Sequence, residues 1–301
     1  MITKARTEEA SPLIISASRA TDIPAFYAPW LMERLEEGFV EKLNPYNRKP
    51  VRISFSRARA IVFWTKNPAP LLPWLPAIME RGLAPVFLFT LNDYEAENWE
   101  PNLPPLNERI ATFRRLAEML PPGSVVWRFD PIALGDSLGA EEILDRAEAI
   151  YEQIGPDISK LIFSFVDLYP KVKRRLAKLG LDLREPNQEE RNQILKGLSG
   201  LSRKGASGLK VCSCAEEADF NRYGIERSSC IDAEFLAELC PALAQSPELY
   251  TTAASGGLFG QPAIKPLKDR GQGPLCRCAP SRDIGTYGTC GHGCVYCYAN
   301  R

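Results

Sequence analysis

A partial β/α barrel of the α/β class is what this sequence predicts, and three observations carry the prediction. Strand-like runs and helical stretches alternate through the first two-thirds of the 301 residues. The strand-like runs are continuously apolar rather than alternating, which is the pattern of parallel strands buried on both sides. Each run also ends on polar residues, where such barrels gather their working groups. The remaining third is loop-rich and cysteine-dense. The expected organisation is therefore a barrel portion over residues 1–215 and a cysteine-rich segment over 216–301 packed on it.

The elements follow in order. The run Leu-Ile-Ile-Ser-Ala-Ser at 13–18 precedes a helical pattern at 24–37, and Val-Arg-Ile-Ser-Phe-Ser at 51–56 reads as a short extra strand. Ala-Ile-Val-Phe-Trp-Thr at 60–65 leads to Pro68, which opens a helix to 81 because its fixed φ suits a first turn. Pro-Val-Phe-Leu-Phe-Thr at 85–90 precedes a helix at 106–120, and Val-Val-Trp-Arg-Phe-Asp at 125–130 precedes one at 140–154. Leu-Ile-Phe-Ser-Phe-Val at 161–166 is followed by helices at 171–179 and 188–204, and Leu-Lys-Val-Cys-Ser-Cys at 209–214 completes the series. A further helical pattern covers 233–243. Parallel strands separated by helices imply a sheet covered on one face, hence a barrel or part of one.

Composition narrows the chemistry. Apolar content of 45%, charged content of 25% and zero net charge describe an ordinary globular chain with no global signal for nucleic acid. No apolar run reaches the length of a membrane span, and the N-terminus lacks the apolar stretch of a signal peptide. A cytoplasmic location is the expectation, where thiols stay reduced and open to metals. The single histidine, His292, excludes any Ser-His-Asp triad or His-ligated catalytic zinc not built around it. None of the nine cysteines precedes Cys212, so no disulfide scaffold is spread through the chain.

The most specific motif is Tyr287-Gly-Thr-Cys290-Gly-His-Gly-Cys294-Val-Tyr-Cys297-Tyr-Ala. Cys290, Cys294 and Cys297 can hold three corners of a 4Fe-4S cluster and leave one iron open. Gly291 and Gly293 let the backbone fold tightly around it, and the aromatic Tyr296 suits contact with an adenine ring. The alternative is a zinc knuckle using the same cysteines with His292. This pattern resembles the radical S-adenosylmethionine (SAM) superfamily, most closely its spore photoproduct lyase branch. The strand ends extend the resemblance: Thr21-Asp22, Thr65-Lys66-Asn67, Thr90-Leu91-Asn92 and Glu100-Pro101 stand in that branch's order. The chain also resembles an uncharacterised family, a domain of unknown function, recognised by its C-terminal radical-SAM-like cysteine cluster.

The resemblance implies a circularly permuted barrel of the radical SAM type. The strand carrying the cysteine loop, near 283–287, would come last in sequence and pair beside 13–18 in space. It implies reductive cleavage of SAM to a 5′-deoxyadenosyl radical, with a reductant such as flavodoxin or ferredoxin as partner. Thr21 and Asp22 would then contact the methionine ammonium or the ribose, Lys66 the carboxylate, and Thr90 the same ligand. Arg128 is a second candidate cation for SAM or substrate. A buried salt bridge from Lys66 or Arg128 to Asp22, Asp130 or Glu100 is the plain alternative for each cation. One departure stands out: Ala20 occupies the place of the branch's hydrogen-donating cysteine, so the resemblance does not extend to thymine-dimer repair. The loop stops four residues after Cys297, which suggests that a native C-terminal helix follows it.

A second metal site is expected from Cys214, Cys230, Cys276 and Cys278, either another cluster or a structural zinc. It would also order the Gly/Pro-rich stretch at 255–280. Cys240 reads as a small buried hydrophobe and Cys212 as a less suitable ligand. The basic run Lys171-Val-Lys-Arg-Arg175 is either a solvated helix face or a dock for a phosphate-bearing substrate, nucleic acid included. Two rival functions remain beside the SAM enzyme: an iron–sulfur redox or regulatory protein without SAM cleavage, and a zinc-stabilised nucleic-acid-binding module.

Overall fold

The computed structural model describes residues 8–44, 48–204, 208–244, 246–253 and 263–300. The chain begins with β1 (Glu8–Ala10), β2 (Ile14–Ser16), α1 (Ile23–Phe26) and α2 (Ala28–Glu37). After α2 come β3 (Phe39–Leu43), β4 (Pro50–Ser54) and β5 (Ala60–Thr65). A 3-10 turn (Ala69–Trp74) runs into α3 (Leu75–Glu80), then β6 (Ala84–Thr90), α4 (Leu106–Met119), β7 (Val125–Ile132) and α5 (Ala140–Ile154). Next are β8 (Lys160–Phe165), α6 (Pro170–Leu179), α7 (Gln188–Lys204), β9 (Lys210–Cys214) and β10 (Glu226–Ser228). The last elements are α8 (Ala233–Leu239), the 3-10 turn Pro241–Leu243, β11 (Tyr250–Ala253), β12 (Ala263–Pro266) and β13 (Arg282–Asp283).

The principal sheet has eight strands in the order β10-β9-β8-β7-β6-β5-β2-β13, and every pairing in it is parallel. It is an open sheet with β10 and β13 at its edges, not a closed barrel. The expected α/β class with a parallel sheet therefore holds. Both edge strands come from the segment after residue 215. The final strand pairs beside the first of the sheet, Arg282 opposite Ile15 and Asp283 opposite Ser16, in the permuted position expected. It starts slightly earlier than expected, at 282. A second sheet, β1-β4-β3, holds the extra strand at 50–54, and β11 and β12 form a hairpin.

Side chains leave the strands alternately toward two buried layers. Ile15, Ile61, Phe63, Phe87, Phe89, Trp127, Phe129 and Phe163 pack in one core with the apolar faces of the helices α2 to α7. Ile14, Val62, Val86, Leu88, Val126, Ile162 and Cys212 form the second core. The expectation of a single covered face is thus corrected. The second face is capped by Ile231, Leu236, Leu243, Leu249, Cys278 and Ala279. The reason is physical: large aliphatic side chains at every second position must be removed from water, and the segment after β10 supplies the cover.

Candidate functional site

The C-terminal loop is strapped across the carboxyl ends of β2, β5 and β6. Asp283 Oδ2 accepts from Ser16 Oγ (2.8 Å) and from the Arg19 amide (2.8 Å), while its Oδ1 accepts from the Gly285 amide (2.9 Å). Lys42 Nζ donates to the carbonyls of Asp283 (3.0 Å) and Gly285 (2.7 Å). The loop is then held by Tyr27 OH to Thr289 O (2.7 Å) and Asn102 Nδ2 to Gly291 O (2.9 Å). The Val295 amide donates to Trp99 O (3.0 Å). Gly293 has φ +72°, a left-handed conformation that glycine adopts without strain. A Cβ on Gly291 would stand 2.8 Å from Phe26 Cε1, so a larger residue there requires the Phe26 ring to shift.

Cys294 is buried, and Cys290 and Cys297 are partly buried beside it. Burial, Glu100 and the two other loop thiols together push the Cys294 thiol well above its ordinary range, while Lys66 opposes them. Burial also raises the Cys290 thiol, against the pull of the His292 and Asp22 backbone amides. The loop thiols are therefore near neighbours. His292 points elsewhere: its Nε2 is 2.7 Å from Asp22 Oδ2, and its ring packs on Phe26 at 4.7 Å.

Of the residues expected to hold SAM, Asp22, Lys66 and Tyr296 meet here with definite partners, while Thr21 and Thr90 are buried nearby and Arg128 turns away. Asp22 caps α1 through the Ala25 amide (3.0 Å), and its Oδ2 accepts from the Lys66 amide (2.7 Å) and meets His292. Both oxygens are therefore engaged in joining α1, the end of β5 and the cysteine loop. Lys66 Nζ pairs with Glu100 Oε1 at 2.7 Å. Tyr296, largely buried, donates its hydroxyl to the same oxygen. Burial alone would raise the Glu100 carboxyl, but Lys66, Tyr296 and Arg109 hold it below the usual carboxylate range. Thr90 is buried at the end of β6, opposite Arg128 in register. Among the described residues, the buried atoms without a hydrogen-bond partner include Thr21 Oγ1, Glu100 Oε2 and His292 Nδ1. Buried polar atoms are ordinarily satisfied, so these three around one loop are unusual.

Arg128 turns to the other cysteine group. Its Nε donates to Asp130 Oδ2 (2.8 Å), and its Nη1 lies 2.7 Å from Cys230 Sγ. Cys214 Sγ and Cys230 Sγ are 3.2 Å apart. Cys230 in turn interacts with Cys278, and Cys278 with Cys276. The contact with Cys278 lowers the Cys276 thiol to about 7. The structure thus gathers the four expected cysteines from separate segments. As the chain stands, no three His, Cys, Asp or Glu groups among the described residues are arranged to hold a metal ion.

The other expectations resolve plainly. Cys212 lies in the second core, and Cys240, partly buried against it, donates to Arg59 O at 3.8 Å. Of the stretch at 255–280, residues 255–262 lie outside the described residues. Within the basic run, Lys173 and Arg174 are exposed, while Lys171 and Arg175 reach the cysteine loop. Arg175 Nη1 donates to Val295 O (3.1 Å) and Cys297 O (2.9 Å), and Lys171 Nζ to Asn300 O (3.0 Å). Among the described residues no helix is long and apolar enough to cross a membrane.

Three polar neighbours of the loop were not singled out as site residues by the sequence reading. Arg19, Asn102 and Asp283 carry no motif of their own, and only their adjacency to Thr21-Asp22, Glu100-Pro101 and the cysteine loop could have drawn attention to them. Comparison with curated proteins and with solved structures yields no match. The family described as a domain of unknown function, DUF1848, matches residues 14–299. With nearly the whole chain covered, strand by strand through the cysteine loop, this protein belongs to the DUF1848 family.

Proposed function

We propose that the protein is a radical SAM enzyme whose 4Fe-4S cluster is held by Cys290, Cys294 and Cys297. The observation that carries the reading is the permuted strand β13. It delivers the C-x3-C-x2-C loop to the carboxyl edge of a parallel sheet, against a buried ion pair. On this reading the sheet is the permuted partial barrel of that superfamily. When bound, the cluster supplies the electron that cleaves SAM to a 5′-deoxyadenosyl radical, drawn in turn from a flavodoxin- or ferredoxin-like reductant.

The chain's own residues position the ligand. An amino-acid zwitterion is complementary to an ion pair, and Lys66 with Glu100 presents a cation and an unpaired carboxylate oxygen, Oε2, side by side. Thr21 Oγ1 and His292 Nδ1 add a hydroxyl and a ring nitrogen for the ligand's polar groups. Asp22 acts as the brace that fixes Lys66 and His292, since both its oxygens are occupied. Tyr296 orients Glu100 through its hydroxyl. Thr90 and Arg128 line the adjoining strand ends, and Arg128 answers to the second cysteine group. Ala20, buried, offers no hydrogen atom of the thiol kind, so the reaction differs from thymine-dimer repair.

The test is iron and sulfide content of anaerobically reconstituted wild-type protein against Cys294→Ala. About four iron per chain at the loop in wild type, lost in the variant, is the expected result. Equal iron in both would remove the loop from the cluster's ligand set.

A further inference from the structure

We infer that Cys214, Cys230, Cys276 and Cys278 bind a single tetrahedral zinc ion that ties the two edges of the open sheet together. The four cysteines come from the end of β9, the loop after β10 and the segment leading into β13. The first pair belongs to one edge of the sheet and the second pair to the approach to the other. The Cys214 and Cys230 sulfurs nevertheless lie 3.2 Å apart, and the Ile231 amide beside them reaches Cys278 Sγ at 3.4 Å.

Size selects the metal. Zinc–thiolate bonds of about 2.3 Å place tetrahedral sulfurs roughly 3.8 Å apart. The Cys214–Cys230 separation of 3.2 Å is of that order, and the Cys278 amide to Cys276 Sγ distance of 3.5 Å holds the second pair in one tight turn. A cuboidal cluster sets each cysteine on a different iron, with its sulfurs much further apart than the Cys214–Cys230 pair. Small side-chain rotations, without a change of fold, are what closing the set around one ion requires.

Charge agrees. Binding a divalent ion by four thiols releases their protons and leaves two negative charges in excess. Two guanidiniums face the group: Arg128 Nη1 at 2.7 Å from Cys230 Sγ, and Arg19 beside Cys278. Arg19 is held over the Trp64 ring at 4.7 Å, and its buried Nη2 has no acceptor among the described residues. An arginine left short of an acceptor beside thiols is the surrounding an anionic thiolate site needs. The Ile231 amide already reaches Cys278 Sγ at 3.4 Å and the Cys278 amide reaches Cys276 Sγ at 3.5 Å, the backbone donors common around bound thiolates. Between them, the Ala279 amide donates to Ile231 O at 2.8 Å and fixes the two segments together.

The experiment measures zinc, iron and sulfide in the full chain carrying Cys290→Ala, Cys294→Ala and Cys297→Ala, so that the proposed loop cluster cannot contribute. About one zinc per chain, displaceable by cobalt with the intense visible bands of a tetrahedral thiolate site, is expected. Adding Cys276→Ser and Cys278→Ser should abolish that zinc. Iron and sulfide persisting in the first variant would establish a second cluster and overturn the inference. A Cys214–Cys230 disulfide without metal, found by mass spectrometry of unreduced protein, would overturn it too. Because the first variant lacks the loop cysteines, zinc there is independent of whether wild type cleaves SAM.

Discussion

Glu100 is the residue on which the site turns. Its Oε1 takes both the Lys66 ammonium and the Tyr296 hydroxyl, and its side chain is almost wholly buried. Removing one partner from such a pair strands the other charge, at a cost of about 3 kcal/mol or more. Lys66→Ala is therefore expected to lower stability by about 3 kcal/mol in urea unfolding, and the double variant with Glu100→Gln to recover most of the loss. An unchanged midpoint in the single variant would mean the pair contributes nothing. The pH dependence has a fixed sign. The folded Glu100 carboxyl lies below its unfolded value, near 4.3, so its contribution is full above that value and fades as pH falls through the lower, folded one. Glu100→Gln should flatten the acid limb of a stability–pH profile; an identical slope in both proteins would contradict the assignment. Lys66 and Asp22 were legible in the sequence as strand-end polar groups, and Glu100 only through the resemblance that flagged Glu100-Pro101. Which cation meets which carboxylate was not, because the pairing joins positions on different strands and loops.

At the scale of elements, α6 is the clasp of the cysteine loop. Val172 and Leu176 bury its apolar face, which turns Lys171 and Arg175 toward the carbonyls of residues 295–300. Hydrogen bonds from a charged donor contribute about 1.5–3 kcal/mol each. Arg175→Ala is expected to speed amide exchange across residues 294–300 by tenfold or more, with little shift in global unfolding. Exchange that stays unchanged there would show the clasp to be idle. The long helices α5 and α7 were readable residue for residue from their apolar period, and the buried strands from their continuous apolar runs. Strand β3 was missed because Phe-Val-Glu-Lys-Leu follows directly on a helical pattern with only Gly38 between them. The hairpin of β11 and β12 was missed because its exposed residues leave no apolar signature.

Across the whole molecule, the last third completes what the first two-thirds begin. It adds a strand to each edge of the sheet and covers its second face. A motif at the end of the chain is thereby set beside residues near its start, a placement that follows from strand order rather than from sequence distance. The permuted pairing was readable only because the motif order resembled a known arrangement; composition and periodicity carry no information on strand order. The helix at 233–243 and the packing of the last segment on the sheet were readable, but which face it covers was not, since periodicity within one element says nothing of its partner. Leu236, buried in that cover, should cost about 2–4 kcal/mol when changed to Ala, within a single cooperative thermal transition. Two separate transitions would mean that the segment folds apart from the sheet.

The measurement closest to the central claim is SAM cleavage by the reconstituted wild-type protein under strong reductant without oxygen. The account predicts 5′-deoxyadenosine and methionine from wild type and none from Cys290→Ala, Cys294→Ala or Cys297→Ala. A fully loaded cluster with no cleavage would contradict it, and would leave an iron–sulfur protein that holds electrons rather than making radicals.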